Sequence, residues 1–446
     1  MFRHGRETIP DKMEAQATAE ASRPTREARQ GEGPQDPDDG AALHPVVAAR
    51  LLNFGVDARQ RKDNHEAVAA FLAALEAVPG EMPPVFNLGE VLLAEGRHEE
   101  AIEWLWKAVR ICPIGPGSRH GWYSLGIAHW KMGRPEEALM FLERAARAAP
   151  TDLEVRHNIA VISLALGRYE TGWTEYVWRL VVKRNKRPLS PLPERFERPV
   201  YLRCEQGIGD ILYFFRWLPA IKARGVTSIH SKYPAKIAPV MRRAFPDVVE
   251  GFGPEDAVDL FIGDLPLRTG EFGVVPPVAF LDPPAPMIRP AGQRKSVGVT
   301  WRAGTKFDLG QWKEAKPELV ADMLRAANAI PVLLQRGATL DEKRLFGSSA
   351  IDLCADVESP ERVLDILPSL DAYVTVSNTN VHLAAGLPNP VRPAMHVLVT
   401  HPPEARWMVR GDHSPWFPGM TCYRQNYRGE WEPQTFDRIK EALRAA

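Results

Sequence analysis

Between about residues 48 and 182, small and large apolar residues recur at a fixed interval. Gly55, Ala67, Phe71, Ala74 and Pro79 are matched 34 residues on by Gly89, Ala101, Leu105, Ala108 and Pro113. They return 37 residues later as Gly126, Ala138, Leu142, Ala145 and Pro150. Trp122 and Leu125 complete the third copy, whose three extra residues fall in the Gly-Pro-Gly-Ser-Arg loop. A weaker fourth copy begins near Leu153, with Gly167 standing where Gly96 and Gly133 stand and Tyr176 in register. Small residues where two helices cross, a large one filling the gap and a proline ending the second helix predict stacked helix–turn–helix units.

After Arg179 this period stops. A Pro-rich, charged stretch marks a linker at 183–199. From Tyr201 onward, short apolar runs alternate with amphipathic ones. Strands are predicted at Tyr201–Cys204, Val226–His230, Val258–Ile262, Ser296–Trp301, Pro331–Gln335, Ile351–Leu353, Ala372–Val376 and His396–Thr400. Helices are predicted at Ile211–Arg224, Pro317–Ala329, Pro360–Leu370, Thr379–Leu387 and Phe436–Ala445. This alternation predicts an α/β fold with mostly parallel sheets. The Pro-rich segment 276–293 divides it into two Rossmann-like halves with a cleft between them. The organisation expected is a disordered tail at 1–42, helical repeats at 43–182, the linker, a first half at 200–285 and a second at 286–446. The tail is rich in Pro, Gly, Ala and charge and offers too little apolar surface to repay ordering. A short helix around Lys12–Arg29 is an option within it.

Composition narrows the function classes. The 446 residues exceed one ordinary core, and Lys plus Arg equals Asp plus Glu at 56 each. Zero net charge argues against a general binder of nucleic acid or acidic membranes. The basic run Lys183–Arg187 is either a local patch or a solvated linker. Cys112, Cys204, Cys354 and Cys422 form no Cys-x-x-Cys pair and lie near no His at ligand spacing, so reduced thiols in a cytoplasmic protein are expected. No run approaches the ~20 apolar residues of a membrane span, and the N-terminus lacks the apolar region of a signal peptide.

Two junctions carry candidate chemistry. After the first strand comes Glu205-Gln206-Gly207-Ile208-Gly209-Asp210, with two glycines that let the chain turn sharply into a helix. A dinucleotide-binding glycine motif is incomplete because its third glycine is Leu212, and the region Ser228–Ala235 has no acidic residue for a ribose, so no such cofactor is expected. Asp210, in the first turn, either caps the helix or takes a proton from a hydroxyl as general base. Later, Ser377, Asn378, Thr379 and Asn380 gather polar side chains and amides at a helix start, a place suited to a diphosphate. His382 shares a face with Asn378 and either donates to a leaving phosphate or hydrogen-bonds between helix and sheet. Arg302, Lys306 and Lys313 follow the opening strand of the second half, where a cation either offsets phosphate charge or is merely solvated. Gln335 ends another strand beside the cleft. No carboxylate cluster calls for a metal.

The 34-residue unit resembles the tetratricopeptide repeat. That resemblance implies a groove for an extended peptide or protein partner, or else a brace for the neighbouring domain. Glu205–Asp210 followed by Leu218-Pro219 resembles the opening motif of glycosyltransferase family 9, the heptosyltransferase relatives, and especially its bacterial members with N-terminal repeats. Ser296–Gly304, Val376–Gly386, His401–Trp407 and Ser414–Pro418 resemble later elements of that family in the same order, so the likeness covers about 48–445. It implies a GT-B pair of Rossmann-like domains with Asp210 as catalytic base and Glu205, Gln206, Gly207 and Gly209 on the acceptor side. It also implies a nucleotide-sugar donor held by Arg302 and Ser377–His382, with a protein or glycan acceptor. Ser377 stands where the family has Asp; it can cap and hydrogen-bond but carries no charge. The alternatives are a non-catalytic repeat scaffold with a ligand-binding domain, or an epimerase or hydrolase of nucleotide-sugars. No nucleic acid partner, cofactor or membrane span is expected.

Overall fold

A computed structural model describes residues 39–115, 117–179, 191–275, 294–303, 313–389 and 391–445, with side chains from residue 44. The basic run 183–187, the optional helix at 12–29, the break 276–293 and Lys306 lie outside the described residues. The chain divides into two compact units, residues 1–128 and 129–446. The dividing line falls within the repeats rather than at 183–199, because the later repeat helices share a core with the α/β region.

The first unit holds α1 (Asp39–Gln60), α2 (Asn64–Ala77), α3 (Met82–Ala94), α4 (His98–Ile111) and most of α5 (Ser118–Lys131). Helix α1 thus begins inside the segment expected as tail. The recurring residues form the core: Ala67, Phe71 and Ala74 are buried, as are Ala101, Leu105 and Ala108. A Cβ on Gly55 would lie 2.5 Å from Phe71 Cε1, and one on Gly89 2.8 Å from Leu105 Cδ2. The large residue occupies the volume that the glycine vacates, which is why the two recur together. Helices α2 and α4 each end two residues before their proline. Between α3 and α4, Gly96 adopts φ 79°, the left-handed conformation that glycine reaches without penalty. At the equivalent place between α1 and α2 stands Lys62, with φ 63°. An L-residue there costs about 1–2 kcal/mol. Lys62→Gly is therefore expected to stabilise the first unit by about 0.5–1 kcal/mol, after the extra unfolded-state entropy of glycine. A higher urea midpoint checks this; a lower one contradicts it.

The second unit continues with α6 (Pro135–Ala148), α7 (Leu153–Ala165) and α8 (Tyr169–Tyr176). Gly133 and Gly167 take the same left-handed turns, at φ 71° and 77°. A four-stranded sheet follows: β1 (Val200–Arg203), β2 (Ile229–Ser231), β3 (Val248–Glu250) and β4 (Val258–Phe261), with helices α9 (Ile208–Phe214), α10 (Leu218–Lys222), α11 (Ala238–Ala244) and α12 (Leu265–Thr269). The second sheet uses β5 (Ser296–Thr300), then, after a small antiparallel pair β6 (Arg302–Ala303) and β7 (Lys313–Glu314), β8 (Ile330–Leu333), β9 (Ile351–Asp352), β10 (Ala372–Val376), β11 (Ala394–Val399) and β12 (Met420–Arg424). Its helices are α13 (Pro317–Ala326), α14 (Leu340–Leu345), α15 (Pro360–Ile366), α16 (Thr379–Ala385) and α17 (Pro433–Ala445).

Both sheets are parallel throughout, as the alternation predicted. Their orders are β3-β2-β1-β4 and β12-β11-β10-β5-β8-β9. The second is the doubly wound order and the first is a shorter version of it. In each, chain direction across the sheet reverses between the opening strand and its fourth: β1 beside β4, and β5 beside β10. Ligand crevices form at such reversals, outside the carboxyl ends of the strands. One apolar cluster runs from Leu164 and Trp173 of the last repeat through Trp217 and Leu260 to Val397 and Trp416. Trp173 sits edge-on to Trp217, Phe214 and Trp416, with ring centroids 5.6–6.0 Å apart. The last repeat is thus part of the α/β core.

Candidate functional site

Glu205–Asp210, Arg302 and Ser377–His382 follow the strands at the two reversal points, but they do different jobs. Glu205 lies in the turn after β1 and is fully engaged. Its carboxylate accepts from the Ile262 and Gly263 backbone N–H groups, each at 3.1 Å, and pairs with Arg179. Arg179, 1% exposed, also donates to Asp264 at 2.6 Å. Gln206 reaches Glu205 at 3.4 Å. Glu205 therefore ties the end of the last repeat to the loops after β1 and β4. These contacts make Glu205 a structural tie in the ligand-free chain.

Gly207 is the residue before α9, with φ −64°, and Gly209 is not left-handed either. The need for glycine is steric at Gly209. A Cβ there would lie 2.8 Å from His382 Cδ2 and 3.1 Å from Nε2. Helix α9, from the first sheet, thereby packs directly on α16, from the second. Gly209→Ala is expected to overpack this contact at a cost of about 1–3 kcal/mol and to displace the imidazole. Thermal unfolding reads the cost; an unchanged melting temperature contradicts the contact.

Asp210 and His382 meet through a residue the sequence reading did not select. Arg406 donates from Nη2 to Asp210 Oδ1 and from Nη1 to His382 Nε2, the latter at 2.9 Å. Its guanidinium lies 5.1 Å from the Tyr213 ring centre. Burial alone would lower the Arg406 pKa, but Asp210 and Glu404 outweigh it and raise it, so the cation is fixed. His382 is 6% exposed. Burial first, then the Arg406, Arg216 and Lys313 cations, drive its pKa well below the ordinary value, and the imidazole is neutral. Arg216 is itself buried against Tyr213 and Phe417 and donates to the Trp416 carbonyl at 2.7 Å.

Ser377 belongs to a second cluster that includes another residue missed in the sequence, Glu404. The Ser377 hydroxyl donates to Glu404 and accepts from Trp407 Nε1 at 2.8 Å. Lys313 pairs with Glu404 at 2.6 Å. Burial raises the Glu404 pKa, yet Lys313 and Arg406 with the Lys313 and Ser377 hydrogen bonds prevail and hold it at about 2. A carboxylate therefore does stand at Ser377, supplied by the loop after β11.

The remaining candidates are committed elsewhere. Asn378 caps α16, its Oδ1 accepting from the Asn380 and Val381 N–H groups at 2.9 and 3.3 Å. Two of the amides at this helix start, those of Asn380 and Val381, are thus engaged by the cap. Asn380 donates to the Tyr373 hydroxyl at 2.9 Å, and that hydroxyl meets Thr300 at 2.7 Å. Thr379 is half-buried in the first turn. Gln335 is buried and pins the chain after β5, accepting from the Trp301 and Arg302 N–H groups at 2.9 and 2.8 Å. Arg302 grips Glu342, which its hydrogen bond holds at about 2 against the opposing effect of burial, and donates to the Gly337 carbonyl. These partners lie outside the Asp210–Arg406–His382 set. Among the described residues, no group of His, Cys, Asp and Glu is arranged to hold a metal.

The turn bearing Arg406 is anchored by the last repeat, since the Val409 N–H donates to the Ala165 carbonyl at 3.0 Å. Beside it lies a small cavity of about 40 Å³, walled by Leu164, Trp173, Tyr176, Tyr213, Trp416 and Arg406.

Comparisons with known proteins bear on the helical part. Residues 82–151 match the tetratricopeptide repeat family. The N-terminal helix pairs are repeats of that kind, as their spacing predicted. Over 336 residues the chain is 26% identical to Protein FlbA of Caulobacter vibrioides, covering 64% of this chain and 54% of FlbA. The chain thus spans about half the length of that curated relative. Among solved structures, MamA is 20% identical over 30% of this chain and 70% of its own, with a TM-score of 0.27. YrrB, described as a TPR protein with an unusual peptide-binding site, is 22% identical over 29% and 66%, with a TM-score of 0.27. The first TPR of Spaghetti (RPAP3), bound to an HSP90 peptide, is 19% identical over 27% and 94%, with a TM-score of 0.26.

Proposed function

We propose that the α/β region is a GT-B-type, heptosyltransferase-like glycosyltransferase that moves a sugar from a nucleotide-sugar to an acceptor hydroxyl. The observation that supports this most is the meeting of Asp210 and His382. They come from the reversal points of two different sheets and share one guanidinium. Asp210 is the general base: Arg406 engages Oδ1, and the carboxylate is 26% exposed, so Oδ2 is left for a hydroxyl proton. Arg406 and Lys313, rather than Arg302, are the cations that offset charge on the departing nucleoside diphosphate. Donor entry has to part α9 from α16 or shift the turn at Arg406, because these groups now touch. The repeats hold a polypeptide or glycan acceptor, or a partner protein, while the last of them braces the site. Action in the cytoplasm is part of this proposal. No described helix is long and apolar enough to cross a membrane.

One observation favours a second reading, a non-catalytic binding scaffold: the charges at the site neutralise one another, Asp210 with Arg406 and Glu404 with Lys313. Incubation of the full chain with UDP-, GDP- and ADP-sugars separates the readings. Transfer predicts nucleoside diphosphate release that rises with added acceptor. Sugar conversion or hydrolysis without acceptor indicates the epimerase or hydrolase, and no turnover with any donor supports the scaffold.

A further inference from the structure

The contacts of His382 determine where its proton sits. A guanidinium offers only donors and stays charged, so at the 2.9 Å contact with Arg406 the imidazole Nε2 must accept. Nε2 is therefore unprotonated, and the single proton of the neutral ring lies on Nδ1. That nitrogen is buried and has no hydrogen-bond partner among the described residues. A buried donor without a partner is costly and calls for an explanation. The ring has no freedom to escape the arrangement. Gly209 abuts its Cδ2 edge, and Tyr213 and Phe417 stand edge-on to it with centroids 6.2 and 5.2 Å away.

Arg406 is equally constrained. On one side Glu404 is held by Lys313 and Ser377; on the other Trp407 donates to Ser377, and the Ser414 hydroxyl donates to the Arg406 carbonyl. The charged and titratable groups around His382 are Arg406 on this turn, Arg216 and Tyr213 from the first half, and Lys313 from β7. Asp210 pairs with Arg406, and Glu404 with Lys313.

We propose that Arg406 is the positioning residue of the site, holding Asp210 by Oδ1 and His382 by Nε2 at once, so that Oδ2 is left for the acceptor and the imidazole proton is confined to Nδ1. The meaning of Oδ2 rests on the transfer reading, whereas the tautomer rests on contacts alone. One consequence follows for the chemistry. While Arg406 holds Nε2, His382 cannot donate from that nitrogen to a leaving phosphate, and the positive charge at this point belongs to Arg406.

The test uses the full chain with histidines labelled by ¹⁵N, the His382 signals being assigned by their loss in His382→Gln. In the ligand-free protein at neutral pH, Nε2 is expected to resonate as an unprotonated, hydrogen-bonded nitrogen and Nδ1 as a protonated one, with titration displaced well below the ordinary imidazole range. Arg406→Leu is expected to release the ring, which then carries its proton on Nε2 or titrates within that range. Arg406→Lys keeps a donor and is expected to preserve the Nδ1–H form. With a turnover assay, Arg406→Leu lowers kcat on the order of 10²-fold and Arg406→Lys recovers part of it. A protonated Nε2 in the wild-type protein, or an unchanged pattern in Arg406→Leu, overturns the proposal. The expected nitrogen pattern in a protein that turns over no nucleotide-sugar supports the hold of Arg406 on the imidazole and refutes the transfer reading instead.

Discussion

Asp210→Asn is expected to leave the chain folded and to cut sugar transfer by about 10²–10⁴-fold, the usual contribution of a general base. The amide has the shape of the carboxylate and keeps an oxygen that accepts from Arg406, so the contacts linking Arg406 to His382 survive. What it lacks is the ability to take a proton. The loss should therefore fall on kcat with little change in donor affinity. Initial rates on a matched acceptor and donor, with the melting temperature as a control for folding, measure it. Transfer at the wild-type rate by the purified Asn variant would rule out Asp210 as the base.

The largest effect on stability is expected at Arg179. Its side chain is 1% exposed and lies against Glu205 and Asp264, themselves 9% and 4% exposed. Burial opposes its charge, but the two carboxylates outweigh burial and raise its pKa. Arg179→Met leaves two buried carboxylates without their cation. Breaking such a group by removing one partner costs about 3–5 kcal/mol. Because Glu205 also holds the Ile262 and Gly263 amides, the loops after β1 and β4 are expected to loosen together. Urea unfolding of the full chain, followed by tryptophan fluorescence, reads the loss. A change below about 1 kcal/mol contradicts the strut. The same geometry predicts that residues 200–446 expressed alone lose part of their core, since Trp173 and Leu164 belong to it.

The repeats were legible because each conserves volume locally: Gly55 is small where Phe71 is large, and the pair recurs at one spacing. The α/β alternation was legible for interior strands, where apolar runs are continuous. Strands β3 and β12 were not predicted. Both sit at sheet edges, as do β4 and β9, which were predicted; what β3 and β12 lack is a continuous apolar run, broken by Glu250 in one and by Thr421 and Arg424 in the other. Site roles were less legible than site positions. The sequence places Arg302 at a reversal point, but its choice of Glu342 depends on where helix α14, 40 residues away, packs. Arg406 lies 196 residues from Asp210 on a short turn with no periodicity to mark it, and only tertiary packing brings them together. The reason for Gly209 was likewise hidden, because the residue it must admit, His382, comes from the other sheet.

The central claim is that the Asp210–Arg406–His382 junction receives a nucleotide-sugar, and crystals of the full chain soaked with UDP-, GDP- and ADP-sugars test it most directly. The account predicts one donor bound with its diphosphate near Arg406 and Lys313, its sugar facing Asp210, and α9 shifted relative to α16. A donor seated on the repeats alone, or bound with the junction closed and untouched, would contradict it.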